Sequence, residues 1–471
     1  MADLLTRSLI PATCAWRGKS QIHASISQTL TPENMARFHF YAPFIKTFWL
    51  SSCQVLLEAE DWHTLTTYSQ KTKLLPNLIT FTCWKPDPQA FSVFLSDSTR
   101  IIHSGQHYTS LAGGVLARIA SGSPAIHELK LYPTPDEEVA HSAIEDIAQQ
   151  MFAPMSEFRQ LRTLTTGTAM LQPCALQLIS RLPNLVELRI EPVWPNRSAR
   201  FNSPLSHALP EDAFPSLRAL RVAFDTSQDV KRFWDLIPLK ALTEVYIMVR
   251  LASSNNQAPF IPSLCRGSPQ IRGLHLEFPA VESDGGDSNE AIYGIQADMF
   301  EYLGKLPLDR FLSLTFAKFD FENAWNGIAV AWPCIGEIRF PHQPARIEHL
   351  MTLSTNLPNL TIVECDFDLA HMVSVVEHNW QPIGDLTRYP KLKQLTIQSG
   401  KLKELAYNKY HRLYDSARFL GYFWPNVDVS TSITDEDPDL ETGYDEWIYE
   451  AGLFNMLTNL IKSHARSFRD F

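Results

Sequence analysis

The sequence predicts an α/β solenoid: repeated strand–loop–helix units that lay a curved parallel sheet on one face and helices on the other. Three observations predict it. The chain has 471 residues, too many for one ordinary globular core, which stops growing at about 250–300 residues, whereas a repeat array has no such limit. A short motif, Φ-Pro-x-Φ-x-x-Φ-x-Φ with Φ apolar, recurs along it. Helical patterns precede many of the copies.

The clearest copies are LPNLVELRI (182–190), FPSLRALRV (214–222), SPQIRGLHLEF (268–278), WPCIGEIRF (332–340), LPNLTIVEC (357–365) and YPKLKQLTI (389–397). Weaker ones are YAPFIKTFWL (41–50), LPNLITFTCW (75–84), SPAIHELKLY (123–132), FRQLRTLTT (158–166), LKALTEVYI (239–247) and LPLDRFLSLTF (306–316). The closing Φ-x-Φ has period two, which puts both apolar side chains on one face of a strand and the residue between them on the other. The apolar residue three positions earlier packs in the same core. Proline lacks a backbone donor and disfavours helix in the residue before it, so it divides helix from strand.

Helices are expected over 136–152, 175–182, 229–237, 297–306 and 346–357. The first opens with a capping box, Thr134-Pro135-x-Glu137. Thr31-Pro32-Glu33 opens another before Phe44. Copies stand roughly 25–38 residues apart, longer than the about 20–29 of an ordinary leucine-rich repeat. The predicted fold is therefore leucine-rich-repeat-like, with long, irregular repeats and about twelve of them. The competing reading is a set of unrelated strand–helix units. A proline at one fixed offset behind a helix argues against it.

Segments 191–210, 251–268 and 279–290 read as irregular or flexible. Residues 430–443 (STSITDEDPDLETG) read as an acidic flexible loop. Residues 444–471 carry three-to-four spacing through Trp447, Leu453, Leu457 and Ile461, as expected of a helix capping the open end of an array. The organisation is thus an N-terminal segment 1–30, a solenoid 31–430, a loop 431–443 and a capping helix 444–471.

A net charge of −10 argues against nucleic acid or an anionic membrane as the partner. The N-terminus is a poor signal peptide, and no run suits a membrane span. Seven scattered cysteines lack zinc-site spacing and read as reduced thiols. These features suit a cytoplasmic or nuclear protein.

Catalytic motifs are missing. Gly18-Lys19-Ser20 matches the end of a phosphate loop, but Thr13 stands where that loop needs glycine. The fifteen histidines are dispersed, and His127-Glu128 has no second histidine at metal spacing. No catalytic residue, cofactor or metal is expected. What remains is the set of residues alternating with the core positions, expected to line the concave sheet and touch a protein: Tyr132, Glu187, Arg189, Arg221, Glu244, Tyr246, His275, Glu277, Glu337 and Arg339. Glu128, Lys130, Glu191, Glu364 and Asp366 share that alternation. Arg and Tyr are common binding anchors, while charges set specificity.

The stretch LTPENMARFHFYAPFIKTFWL (30–50), followed by LPNL-type strands to about residue 430, resembles the fungal F-box/leucine-rich-repeat proteins. The resemblance implies a substrate-recognition subunit of an SCF-type ubiquitin ligase, joined to the adaptor subunit by an N-terminal F-box. Here the F-box is expected to be truncated or absent. Cys14-Ala15-Trp16-Arg17 is one residue short of the module's Cys-Arg-x-Trp ending, and its leucine-proline opening is missing. The expected protein is a monomeric, non-enzymatic scaffold. The alternatives are an enzyme with a site in the loops 251–268 or 279–290, and a degenerate family member without a partner.

Overall fold

The computed structural model describes residues 22–24, 31, 35–50, 55–57, 59–83, 88–106, 111–123, 125–133, 153–191, 209–210, 212–237, 239–251, 258–278, 292–367, 392–398, 417, 420–421, 424, 426–432 and 456–463. The expected helix over 136–152, residues 1–21 and 25–30 of the N-terminal segment, the loop 279–290, most of 191–210 and all of 433–455 lie outside them. The chain divides into two compact units, Met1–Ala223 and Phe224–Phe471.

In the first unit a two-stranded ladder pairs β1 (Ile22–Ala24) with β3 (Val55–Leu57). The main parallel ladder runs β2 (Thr47–Leu50), β4 (Thr80–Cys83), β5 (Ile101–Gln106), β6 (Glu128–Pro133), β7 (Thr163–Gly167), β8 (Glu187–Glu191) and β9 (Ala219–Thr226). Helices α1 (Ala36–Tyr41), α2 (Ala59–Lys71), α3 (Pro88–Phe94), α4 (Leu111–Gly122) and α5 (Pro173–Ile179) alternate with these strands, with a 3-10 turn at Ala153–Glu157. The second unit repeats the plan. Its ladder runs β10 (Glu244–Leu251), β11 (Gly273–Glu277), β13 (Phe311–Thr315), β15 (Glu337–Ala345), β16 (Ile362–Phe367), β17 (Gln394–Gln398) and β18 (Asp428–Ser432). A short ladder pairs β12 (Tyr293–Ile295) with β14 (Ala317–Phe319). The helices are α6 (Ser227–Leu236), α7 (Ile261–Gly267), α8 (Ala297–Leu303), α9 (Ala324–Ala331) and α10 (Ile347–Asn356). The architecture is an α/β leucine-rich-repeat-like solenoid.

All twelve copies of the motif end in a strand of a main ladder, and β5 and β18 add two more. The proline's role is sharper than a divider. In LPNL (357–360) the Leu357 amide closes α10 on the Leu353 carbonyl at 2.8 Å, and the Leu357 carbonyl then accepts from Leu360 N–H at 3.1 Å. Pro358 therefore occupies the second position of a β-turn, where its fixed φ is favoured. Trp332 does the same, donating to Ile328 at 3.1 Å and accepting from Ile335 at 3.2 Å. The third motif residue ties neighbouring turns: Asn77 donates to the Pro43 carbonyl at 3.0 Å, Asn184 to Arg159 at 2.8 Å and Ser216 to Pro183 at 2.6 Å.

Most strands are then led in by one residue whose carbonyl accepts two amides from the next repeat. Lys46 accepts from Ile79 and Thr80, Arg100 from His127 and Glu128, and Arg162 from Val186 and Glu187, at 2.8–3.1 Å. Amides just ahead of each strand are satisfied this way.

The core lies between sheet and helices. Leu185, Leu188 and Ile190 are buried in the first unit, and Ile271, Leu274 and Leu276 occupy the matching motif positions in the second. Each such side chain contributes about 1.5–3 kcal/mol of apolar burial. Larger side chains close gaps: Phe48, Phe81, Phe91, Phe94 and Trp62 interlock at the start of the first unit, and Phe300, Phe319 and Trp332 in the second.

Two expectations need correction. Part of 251–268, read as irregular, is helical: α7 covers Ile261–Gly267, with Pro262 in its first turn and Ile261 and Leu264 buried. A proline there costs no hydrogen bond. Residues 430–432, read as the start of the acidic loop, continue β18 because Ser430 and its neighbours pair with β17. At the C-terminus the described part of the expected capping helix, 456–463, is helical.

Candidate protein-binding face

The strand residues that alternate with the core form the face of the sheet that the helices leave open. Parallel register aligns them in rows. In the first unit one row is Trp49, Thr82, His103, Lys130, Thr165, Arg189 and Arg221. In the second it is Tyr246, His275, Ser313, Arg339, Glu364, Thr396 and Ser430.

Nine of the ten expected contact residues have described side chains, and all nine stand on this face. Glu187, Arg189, Glu244, Tyr246, His275, Glu277, Glu337 and Arg339 are half-buried and Arg221 is exposed. Tyr132 lies in β6, and its side chain is outside the described residues.

Register brings several of them together. The Tyr246 and His275 rings stack with centroids 4.1 Å apart and planes 4° from parallel. The Tyr246 hydroxyl donates to the Glu277 carboxylate. His275 Nε2 is buried, makes no hydrogen bond and stands 3.6 Å from the same carboxylate. Glu244 pairs with Arg310. Arg339 pairs with Glu337 at 3.2 Å and Arg189 with Glu187 at 2.6 Å, each within its own strand. In β5 and β6, Glu128 takes Lys130 at 2.7 Å and His103 at 3.3 Å.

These contacts set protonation. Burial would raise Glu128, but the hydrogen bond and charge of Lys130, with His103, hold its carboxyl below the ordinary value. Burial and the Lys130 charge push His103 down against the pull of Glu128. Burial pushes Glu364 up, and the Arg339 charge only partly offsets it.

Two residues of this face are not among the expected contacts. Trp49, the outward residue between Phe48 and Leu50 of the first motif copy, is 66% exposed, and His103 sits on β5, a strand without the Leu-Pro signal. Phe311 lays its ring over Gly273, where a Cβ would come within 2.5 Å of the ring. A glycine inside a strand that permits such close approach is a recognised use, yet the sequence gives no hint of what covers it.

Among the described residues no group of three or more His, Cys, Asp or Glu could hold a metal ion. No helix among them is long and apolar enough to cross a membrane. Burial pushes the Cys265 thiol up to about 12, against the Lys305 charge, so it stays protonated at neutral pH.

No protein-family profile and no curated protein matches the chain. Its fold is similar to that of the leucine-rich repeat-containing protein LegL7 from Legionella pneumophila, at 10% identity and TM-score 0.34, over 82% of this chain and 98% of that one. An internalin from Listeria monocytogenes gives 12% identity and TM-score 0.32, over 77% and 92%. The Rad7 and Elc1 complex of yeast gives 12% and 0.33, over 72% and 83%. At these scores the fold assignment stands on the ladders and the motif rather than on the neighbours.

Proposed function

We propose that the chain is a non-enzymatic scaffold that binds a protein across the open face of its sheet. The observation that carries this is the face itself: in-register rows of polar and aromatic side chains, most of them half-exposed, that no described helix covers. Tyr246, His275 and Glu277 fix one another by stacking and hydrogen bonding. A partner meeting them need not order them first, which lowers the entropic cost of binding. The reading takes the chain as a monomer in the cytoplasm or nucleus, with no cofactor and neither nucleic acid nor membrane as the ligand.

The finer reading is a substrate-recognition subunit of an SCF-type ubiquitin ligase. The residues 30–50 and the repeat array support it through their resemblance to F-box/leucine-rich-repeat proteins.

Photo-crosslinking separates the two levels. A benzophenone amino acid replaces His275 or Arg189 on the open face, or Val330 on the exposed side of α9. Protein adducts from the first two positions and not the third are expected in cell extract. Adducts only from Val330 would sink the open-face reading. Recovery of adaptor and cullin subunits with the tagged chain is the expected result of the ligase reading, and their absence leaves a plain scaffold.

A further inference from the structure

The lead-in residues of the first unit form a second, different surface. Each precedes a strand, and the carbonyl of each accepts from the next: Lys46 from Ile79, Ile79 from Arg100, Arg100 from His127, His127 from Arg162, Arg162 from Val186 and Val186 from Arg218, all at 2.8–2.9 Å. They are therefore adjacent in space though spread over 173 positions from Lys46 to Arg218 in sequence, counting both. Five of the seven side chains are basic or imidazole, and none is acidic. Lys46, Arg162 and Arg218 are exposed, and Arg100 and His127 half-exposed. The two gaps are filled by exposed aliphatics, Ile79 at 41% and Val186 at 40%.

Among the described residues no carboxylate stands within ion-pair distance of Lys46, Arg100 or Arg162. Arg100 turns to the backbone carbonyls of Asp97 and Thr99, and His127 to Gln160. Glu128 and Glu187, which directly follow His127 and Val186, are held by Lys130 and Arg189 on the open face. The second unit treats its lead-in arginines differently: Arg272 pairs with Asp309 and Arg310 with Glu244, while the exposed lead-in Lys393 has no carboxylate in ion-pair reach among the described residues.

We propose that this row binds an extended acidic peptide carrying interleaved aliphatic side chains. The proposal rests on the scaffold reading and adds a second contact surface to it. Charge complementarity selects the sign. Ile79 and Val186 select a peptide over a nucleic acid, which would call for aromatic stacking platforms beside the cations. Adjacent strands lie about 4.8 Å apart, so seven lead-in residues span about 29 Å, the reach of about nine extended residues at about 3.3 Å each.

The test uses the full chain and fluorescence anisotropy. The probe is a labelled peptide of about twelve residues, Glu-Glu-Ile repeated; the comparisons are Lys-Lys-Ile repeated and an oligothymidine of equal length. The acidic peptide is expected to bind, and to lose about tenfold in affinity between about 50 mM and about 300 mM salt, where the Debye length shortens. The double variant K46E/R162E is expected to lose about tenfold or more, while K240E/K305E, the same change of charge placed in the second unit, keeps the wild-type affinity. Circular dichroism checks that both variants fold. The proposal is overturned by an acidic peptide that does not bind, by equal losses in both double variants, or by oligothymidine binding as tightly. The open-face crosslinks are unaffected by any of these, so failure here leaves the scaffold reading standing.

Discussion

The two units share one kind of core and differ in how they treat charge. Both build strands from the same alternation, and both bury the same kind of side chain: Leu188 and Ile190 in one, Leu274 and Leu276 in the other. The second unit neutralises its lead-in arginines by pairing across repeats, Arg272 with Asp309 and Arg310 with Glu244. The first leaves Lys46 and Arg162 exposed without such partners and keeps its ion pairs on the open face. A repeat fixes the fold through a few apolar positions, so the variable positions are free to diverge in electrostatics without loss of architecture.

The largest effect tests the shared half of that comparison. Leu188→Ala and Leu276→Ala each remove a fully packed side chain under the sheet. Each is expected to cost about 2–5 kcal/mol, read from urea midpoints. Similar losses in both units support a common kind of core. A loss confined to one would mean that the other repacks, and the equivalence of the units would fail.

The shared core pattern is also what was legible in sequence. Apolar period two, behind a proline in ten of the twelve copies, located twelve strands, because burial writes itself directly into residue type. The strand Ile101–Gln106 escaped because its lead-in is Ser96-Asp97-Ser98-Thr99 in place of Leu-Pro-x-Leu. Those polar residues keep the turn: Thr99 N–H reaches the Ser96 carbonyl at 3.0 Å, and Ser123 Oγ donates to the same carbonyl at 2.9 Å. Ser96 and Thr99 are buried with their hydroxyls in mutual contact, so hydropathy is silent where hydrogen bonding does the packing. The strand Asp428–Ser432 escaped because Val427 and Val429 stand one residue closer than the motif requires. On the open face, alternation predicted which residues point outward. It could not predict that Tyr246, His275 and Glu277 meet, since that depends on the register between two strands 29 residues apart, counted from Tyr246 to His275. The basic row is likewise invisible along the chain, because its members come together only through the backbone ladder.

The next effects sharpen the difference between the units. Tyr246→Phe removes the hydroxyl that Glu277 accepts from and keeps the stack on His275. It is expected to cost about 0.5–1.5 kcal/mol. Arg310→Ala takes the partner from Glu244 and is expected to cost about 0.2–1 kcal/mol, less at high salt. Arg162→Gln, at the matching lead-in position of the first unit, is expected to change stability by no more than about 0.5 kcal/mol in either direction. Thermal or urea unfolding of the three variants side by side decides the matter. A loss at Arg162 as large as at Arg310 would show that its charge serves the fold, and would remove the ground for reading that row as a binding surface.

The smallest effect is a pair of opposite signs. The carboxyl of Glu128 lies below its unfolded value, so its contribution is present above the unfolded pKa of about 4.3 and is lost as pH falls through the folded one. Glu364 lies above its unfolded value, so its contribution is complete below the unfolded pKa and is lost as pH rises through the folded one. At neutral pH Glu128→Gln should therefore destabilise the protein and Glu364→Gln should stabilise it. Each change is of order several tenths of a kcal/mol, as befits partly exposed ion pairs. Both differences from wild type should shrink as pH drops toward about 3, where all carboxyls approach protonation in folded and unfolded chains alike. Urea midpoints of the two variants against wild type at neutral and acid pH give the signs. A stabilising Glu128→Gln would mean that Lys130 and His103 do not compensate the burial of that carboxylate, and that the first unit, like the second, carries an acid on its open face at a cost to the fold.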